Sequence, residues 1–282
     1  GACDLGALPD VYPGYQKVED KSIGKKFEDA WHRPLSCKNG MTLMEIMHGA
    51  ESGMIKALYV MGENSLLSDP DLGRTGQALE NLDFLVVQDI FLTETAELAD
   101  VVLPAACFAE KDGTFTNTER RVQMVNKALK PPGEAREDWK IMCDLAIKMG
   151  YPMEYESLEE IMDEIASLTP IYGGIDYSRL REGTLQWPCP DRKHPGTKYL
   201  HKDQFSRGKG KFHLVSHREP AELPDEEYPL ILSTGRVLYH FHTGTMSRRT
   251  KGIEEVCPEG IVEISPEDAL ELSIGQGDMV TV

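Results

Sequence analysis

Residues 57–104 read ALYVMGENSLLSDPDLGRTGQALENLDFLVVQDIFLTETAELADVVLP. Three short apolar runs stand out in this stretch: Ala57 to Met61, Phe84 to Val87 and Val101 to Leu103. Each is short enough for a strand, and between them lie helix signals. Asp69-Pro70 supplies an N-cap and an N1 proline for a helix expected to end near Asn81. A short alanine-containing helix around Thr95 to Ala99 leads into the third run, which Pro104 halts. Strands that alternate with helices imply an α/β fold with a doubly wound, mostly parallel sheet.

Working outward, Thr42 and Glu45 form a capping box for a helix through about Ala50, ended near Gly53. Downstream, Trp139, Met142, Cys143, Ala146 and Met149 share one face of a helix that Gly150 stops, and the methionines read as core filler. Ser157 with Glu160 starts another helix, with Leu158, Ile161, Met162, Ile165 and Leu168 as its apolar stripe. From Pro170 to Glu227 the chain is rich in Pro, Gly and charge and reads as a long irregular connection. A new unit starts at Tyr228, with strands expected at Pro229 to Leu232, at Val262 to Ile264 and after Gly277, and a helix opened by Ser265-Pro266. The expected organisation is an α/β domain over 1–150 with 108–133 as an excursion, a helical and irregular connection over 151–227, and a barrel-like domain beginning at 228–282.

The 282 residues are 40% hydrophobic and 27% charged, ordinary for a globular protein. A net charge of −17 argues against nucleic-acid binding, since most of the surface would repel phosphate. A basic interval from Arg192 to Arg218 reads as a solvated loop. No apolar run approaches the ~20 residues of a membrane helix, and no membrane segment is expected. The six cysteines, at 3, 37, 107, 143, 189 and 257, lack the short spacings of zinc or iron–sulfur sites. They read as thiols in a reducing cytoplasm. The chain opens at Gly1 and stops inside the strand-like run Asp278 to Val282, so both ends read as cuts through a longer polypeptide.

In a parallel sheet, ligands bind beyond the carboxyl ends of the strands. There the first strand is followed by Gly62, Glu63 and Asn64, with Ser65 and Ser68 close behind, and the second by Gln88 and Asp89. Such loops suit a polar nucleotide, and a carboxylate can accept the N1–H and amino group of guanine; ordinary turn and cap chemistry is the competing reading. A second candidate lies between Ser233 and Lys251, where Gly235-Arg236 follows an expected strand. Tyr239, His240, His242, Thr243, Gly244, Thr245, Met246, Arg248, Arg249 and Lys251 follow. Cations, hydroxyls and glycines in so acidic a chain suit phosphate or pyrophosphate; a solvated basic turn is the alternative, and a metal at His240 and His242 would need further ligands.

The run Thr93-Glu94-Thr95-Ala96-Glu97-Leu98-Ala99-Asp100-Val101-Val102-Leu103-Pro104-Ala105-Ala106-Cys107-Phe108-Ala109-Glu110 resembles the signature segment of prokaryotic molybdopterin oxidoreductases. The opening Gly1 to Gly6, Pro13 to Gln16, Thr118 to Gln123, Gln186 to Pro190 and His194 to Thr197 resemble formate dehydrogenase catalytic subunits more than nitrate reductases. The resemblance covers essentially the whole chain. It implies a molybdenum or tungsten centre held by two molybdopterin guanine dinucleotides and formate as substrate. It also implies a 4Fe-4S cluster in an N-terminal remainder of the same subunit and an iron–sulfur or flavin electron-transfer subunit as partner. Carried over by position, Gly62, Glu63, Asn64 and Ser68 would contact one nucleotide arm, and Gln88, Asp89 and Asp100 would line the same pocket. Thr234, Gly235, Arg236, Tyr239, His240, His242, Thr243, Gly244, Thr245 and Met246 would belong to the domain that closes over the pterins. The family's cluster cysteines, metal-ligating cysteine or selenocysteine, adjacent histidine and active-site arginine all lie upstream of Gly1. No catalytic residue and no metal ligand is therefore assigned here, and the piece alone is expected to be inactive. Asn64 and Ser65 stand where some relatives have an acidic residue and a proline. The alternatives are a nitrate reductase-like enzyme and a cofactor-free structural subunit of the same fold.

Overall fold

The computed structural model describes residues 1–205 and 207–282, in two compact units, Gly1–Arg218 and Glu219–Val282. Ser206, within the basic interval, lies outside the described residues.

The first unit opens with a small antiparallel pair, β1 (Val11–Tyr12) and β2 (Gln16–Lys17). Helix α1 (Lys21–Trp31) follows, capped by Asp20, whose carboxylate accepts the amides of Ser22 and Ile23. Its fully buried Phe27 stacks on Tyr12 at 4.5 Å and lies 4.9 Å from Trp31. Helix α2 (Leu43–Glu51) starts at the Thr42–Glu45 capping box, as expected.

The stretch 57–104 folds into β3 (Ala57–Met61), α3 (Ser65–Ser68), α4 (Leu72–Glu80), β4 (Phe84–Asp89), α5 (Glu94–Glu97) and β5 (Val101–Pro104). The three strands form a parallel sheet in the order β3-β4-β5, with Met61 opposite Gln88 and Asp89 opposite Pro104. Because side chains alternate along a strand, Leu58, Val60, Leu85 and Val87 share one face. They pack with Met47 and Ala50 of α2, Ala78 and Leu79 of α4 and Ala96 of α5. One helix start differs from expectation. Asp71, not Asp69, caps α4, its carboxylate accepting the Arg74 amide at 3.3 Å. Residues 65–68 already form a turn of helix that ends on Asp69, so the chain must turn again before α4 can begin.

An antiparallel sheet follows: β6 (Gly113–Thr116), β7 (Arg121–Val125) and, joining later in the chain, β8 (Leu185–Gln186). Between β7 and β8 run α6 (Asp138–Lys148), α7 (Leu158–Leu168), capped by Ser157, and α8 (Tyr177–Glu182), capped by Asp176. The stripe expected of α7 is partly or fully buried, with Met162 and Leu168 innermost. That expected of α6 is corrected: Ile141 and Cys143 are buried, whereas Met142 and Met149 are exposed, the latter at 78%. Met149 lies past the last helical turn, where no neighbouring element covers it.

The reading of 170–227 as an irregular connection is corrected over its first part. Tyr172, Ile175, Tyr177, Leu180, Leu185 and Cys189 form a second core with Val122 and Met162. Gly173 and Gly174 are needed there: a Cβ on Gly174 would stand 1.9 Å from the Asp191 carbonyl oxygen. Glycine and proline in this stretch thus mark close packing, and not solvated loop. Asp4, 5% exposed, ties the start of the unit to this core. Its carboxylate accepts from the Tyr15 hydroxyl at 2.7 Å, the Tyr172 hydroxyl at 3.2 Å and the Trp187 indole at 2.9 Å. The hydrogen bond to Asp4 pushes the Tyr15 phenol up to about 12.

In the second unit the helix opened by Ser265 is present as α10 (Pro266–Glu271), the Ser265 hydroxyl accepting the Asp268 amide at 3.1 Å. A short helix, α9 (Lys251–Val256), precedes it. The strands expected at Pro229 to Leu232, at Val262 to Ile264 and after Gly277 do not form among the described residues, and no barrel closes. The physical reason is pairing: an extended run becomes a strand only when a neighbour takes its amides and carbonyls, and these three runs do not pair with one another.

Candidate functional site

The first cluster sits at the carboxyl ends of β3 and β4. The Gly62 amide donates to the Gln88 carbonyl at 2.9 Å, so the turns after the two strands lie side by side. Gly62 has φ +66, which glycine adopts without strain, and a Cβ there would meet nothing within 4 Å. Beyond it, Glu63 is exposed, and Asn64 is buried and ties the turn to α5. The Asn64 side chain donates to Glu94 at 2.8 Å and accepts from the Thr95 amide and hydroxyl at 3.2 and 2.8 Å. Ser68 is exposed at the end of α3, its amide donating to the Asn64 carbonyl. Asp69, 7% exposed, keeps one carboxylate oxygen buried without a hydrogen-bond partner. Burial pushes its carboxyl above the usual range, a Ser65 hydrogen bond opposes the shift and the charge of Glu63 adds to it.

Gln88 is almost fully buried and is held from both sides. The Tyr59 hydroxyl donates to its carbonyl oxygen, and its amide group donates to Asp138 at 2.7 Å. The other oxygen of Asp138 accepts from Lys111. A row Tyr59–Gln88–Asp138–Lys111 therefore runs along this end of the sheet. Asp89 is half-buried beside it and accepts the Ile90 amide at 2.6 Å. Asp138 and Lys111 escaped the sequence reading. The visible signal was the acid pair Glu137-Asp138 at a helix start, ordinary for a helix dipole and silent about a contact 50 residues away.

Asp100 is corrected. It precedes β5, and its carboxylate accepts the Leu85 amide at 2.7 Å near the start of β4. It therefore sits at the amino ends of the strands, about three residues or roughly 10 Å along β4 from Gln88. Its place inside the signature run concealed that it lies before the strand and not after it.

In the second unit, His240 is buried. One ring nitrogen lies 3.1 Å from the Ser247 hydroxyl and the other 2.6 Å from the Cys257 carbonyl oxygen, with Glu254 at 3.6 Å. His242 is exposed, with φ +51, its ring edge-on to Phe241. The two histidines therefore do not converge, and among the described residues no cluster of three metal-ligating side chains occurs. Thr234, Gly235, Arg236, Tyr239, Thr243 and Met246 are exposed, Thr245 is half-buried and Gly244 is buried, with φ +89. Arg248 is paired with Glu254 at 3.2 Å and donates to the Pro258 carbonyl, and Arg249 donates to the Thr245 carbonyl at 2.7 Å. Part of the positive charge that suggested a phosphate site is thus met within the chain, which leaves Arg236 as the exposed cation nearest Gly235.

Comparison with known proteins gives the following. Residues 1–148 match the molybdopterin oxidoreductase family and residues 230–282 the molydopterin dinucleotide binding domain. The chain is 57% identical over 287 aligned residues to the F420-dependent formate dehydrogenase subunit alpha of Methanocaldococcus jannaschii, covering 100% of this chain and 42% of the relative. It is 39% identical over 265 residues to formate dehydrogenase H of Escherichia coli, covering 92% of this chain and 37% of that one. Acetylene hydratase from Pelobacter acetylenicus has a similar fold: TM-score 0.65 at 19% identity, covering 93% of this chain and 39% of that one. The chain thus spans less than half the length of these relatives. Among the described residues no helix is long and apolar enough to cross a membrane.

Proposed function

We propose, on the premise that this chain belongs to the molybdopterin oxidoreductase family, that it is part of a formate-oxidising catalytic subunit and holds the guanine end of a molybdopterin guanine dinucleotide. The observation that carries the site is the Gly62 amide on the Gln88 carbonyl, which sets two polar turns together beyond a parallel sheet. The chemistry of the donor set fits a base better than a pyrophosphate. Glu63, Asp89 and Asp138 are acceptors, and the buried unpaired oxygen of Asp69 is another, whereas Lys111 already faces Asp138. Guanine offers N1–H and an amino group to such acceptors, while a phosphate would be repelled.

In this reading Gly62 leaves room for the ligand, Asn64 fixes the turn through Thr95, and Gln88 orients Asp138 from below. Glu63, Ser68, Asp89 and Asp138 would face the nucleotide. Thr234 to Met246, with Arg236 as its exposed cation, would serve the pyrophosphate or pterin of a dinucleotide. The cofactor would supply the redox centre, molybdenum or tungsten, and a 4Fe-4S cluster elsewhere in the complete protein would carry electrons away. A partner subunit would receive them, and a cytoplasmic setting goes with the reading. Formate is favoured over nitrate as substrate by the names of the two formate dehydrogenases it resembles.

The test uses the complete protein, purified without air. Formate is expected to reduce a viologen dye, elemental analysis to find molybdenum or tungsten, and Asp138→Asn to lower the guanine nucleotide released on acid treatment. A protein with neither metal and no formate-dependent reduction overturns the assignment. Unchanged nucleotide content in Asp138→Asn overturns the site alone.

A further inference from the structure

Away from that cluster, the first unit contains a cavity of about 320 Å³ between the end of α1, the connection after α6, and α7. Its size is at the lower end of small-molecule sites. Trp31, Tyr151, Met153 and Tyr155 form its walls. Glu164 reaches in from α7, and both its oxygens are taken: the Trp31 indole donates to one at 2.9 Å and the Tyr155 hydroxyl to the other at 2.7 Å. These two bonds hold the rings in place and turn both carboxylate oxygens toward the walls. The Tyr151 hydroxyl donates to the Trp31 carbonyl at 3.1 Å, which pins the wall to the end of α1.

The rim carries a guanidinium, Arg33, in a chain of net charge −17. Arg33 is exposed, lies over the Tyr151 ring at 5.5 Å and donates one N–H to the Gly150 carbonyl at 3.0 Å. Among the described residues its other guanidinium hydrogens have no partner. A second cavity of about 260 Å³ shares His32 and Arg33 with the first and adds Glu28 and Lys25, the latter paired with Asp29 at 2.6 Å. His32, in the left-handed region at φ +52, ends α1 at this rim. Glu154 is the opposing charge at the same opening.

From these residues we propose that the cavity binds a small planar aromatic carboxylate. Its ring would lie against Trp31, Tyr155 and Met153, and its acid group would take the free side of the Arg33 fork. Two features of the ligand are required together: a flat face for aromatic and thioether walls, and an anion matching a guanidinium already held by the Gly150 carbonyl and the Tyr151 ring.

The test is a titration of the full chain with indole-3-carboxylate, followed by the indole N–H resonances of its tryptophans in two-dimensional NMR. The Trp31 resonance, identified by its loss in Trp31→Phe, is expected to move and saturate while those of Trp139 and Trp187 stay still. Indole without the acid group is expected to bind about tenfold more weakly, Arg33→Gln to weaken the acid about tenfold, and Glu154→Gln to tighten it about twofold. A stationary Trp31 resonance at millimolar probe overturns the proposal, as does indole binding as well as its carboxylate. If Arg33→Gln shifts the unfolding midpoint, the comparison of the two probes on the unsubstituted chain decides.

Discussion

Phe84-Leu85-Val86-Val87 and Leu230-Ile231-Leu232 are alike as sequence, short apolar runs in polar surroundings. In the structure Leu85 and Val87 are 2% and 0% exposed, whereas Leu230, Ile231 and Leu232 are 48%, 77% and 63% exposed. The first run has a strand on either side and helices on one face. The second has no strand partner among the described residues. The difference lies in what surrounds the residues: an apolar run is a strand only where other segments complete its ladder and cover its face.

The largest effect expected from this contrast is in amide hydrogen exchange. Val86 and Val87 should exchange more slowly than Ile231 and Leu232 by roughly a thousandfold or more, because the former open only with their sheet. Equal protection at Ile231 would mean that the second run is paired after all, and would break the comparison. Next comes Tyr172→Ala, which empties a site 2% exposed and removes one of the three donors to Asp4. It should cost about 3–5 kcal/mol in urea unfolding of the first unit, whereas Leu230→Ala should cost less than about 0.5 kcal/mol. A third, smaller effect sharpens the account of the strand-end site. The Asp69 carboxyl is raised when folded, so its contribution favours folding below the unfolded value and is lost as pH rises through the folded one. Asp69→Asn should therefore stabilise the chain by up to about 1 kcal/mol at neutral pH, with the gain gone below about pH 4. Thermal unfolding at the two pH values measures it; a loss at neutral pH would mean that the ionised carboxylate has a partner. The smallest effect is Met149→Ala, expected within about 0.5 kcal/mol of zero by urea unfolding because the side chain is already in water.

Much of the first unit, and one helix start of the second, could be read directly. The capping box at Thr42, the caps at Ser157 and Ser265, the parallel strands and the two turns beyond them all follow from local chemistry and period. What escaped depends on distant partners. Nothing near residue 138 announces Gln88, and nothing near Asp100 tells which end of β4 it will meet. Gly173-Gly174 reads as a loop until Pro190 and Asp191 are seen to press against it. Asp69-Pro70 carries a sound helix-start signal, yet α3 occupies the residues before it, and Asp71 takes the capping role.

Asp4 has one more consequence, for the order of events during synthesis. Its hydroxyl and indole donors at Tyr172 and Trp187 lie 168 and 183 residues further along the chain. A ribosome therefore releases the segment around Asp4 long before these two donors exist, and until then, of the three side-chain donors, only Tyr15, 11 residues on, can reach the carboxylate. Closing so long a loop is slow compared with forming the local helices, so the turn around Asp4 should be the last part of the first unit to become resistant to protease on a stalled nascent chain. Resistance of that turn in chains stalled before residue 187 has left the tunnel would show that something nearer holds it.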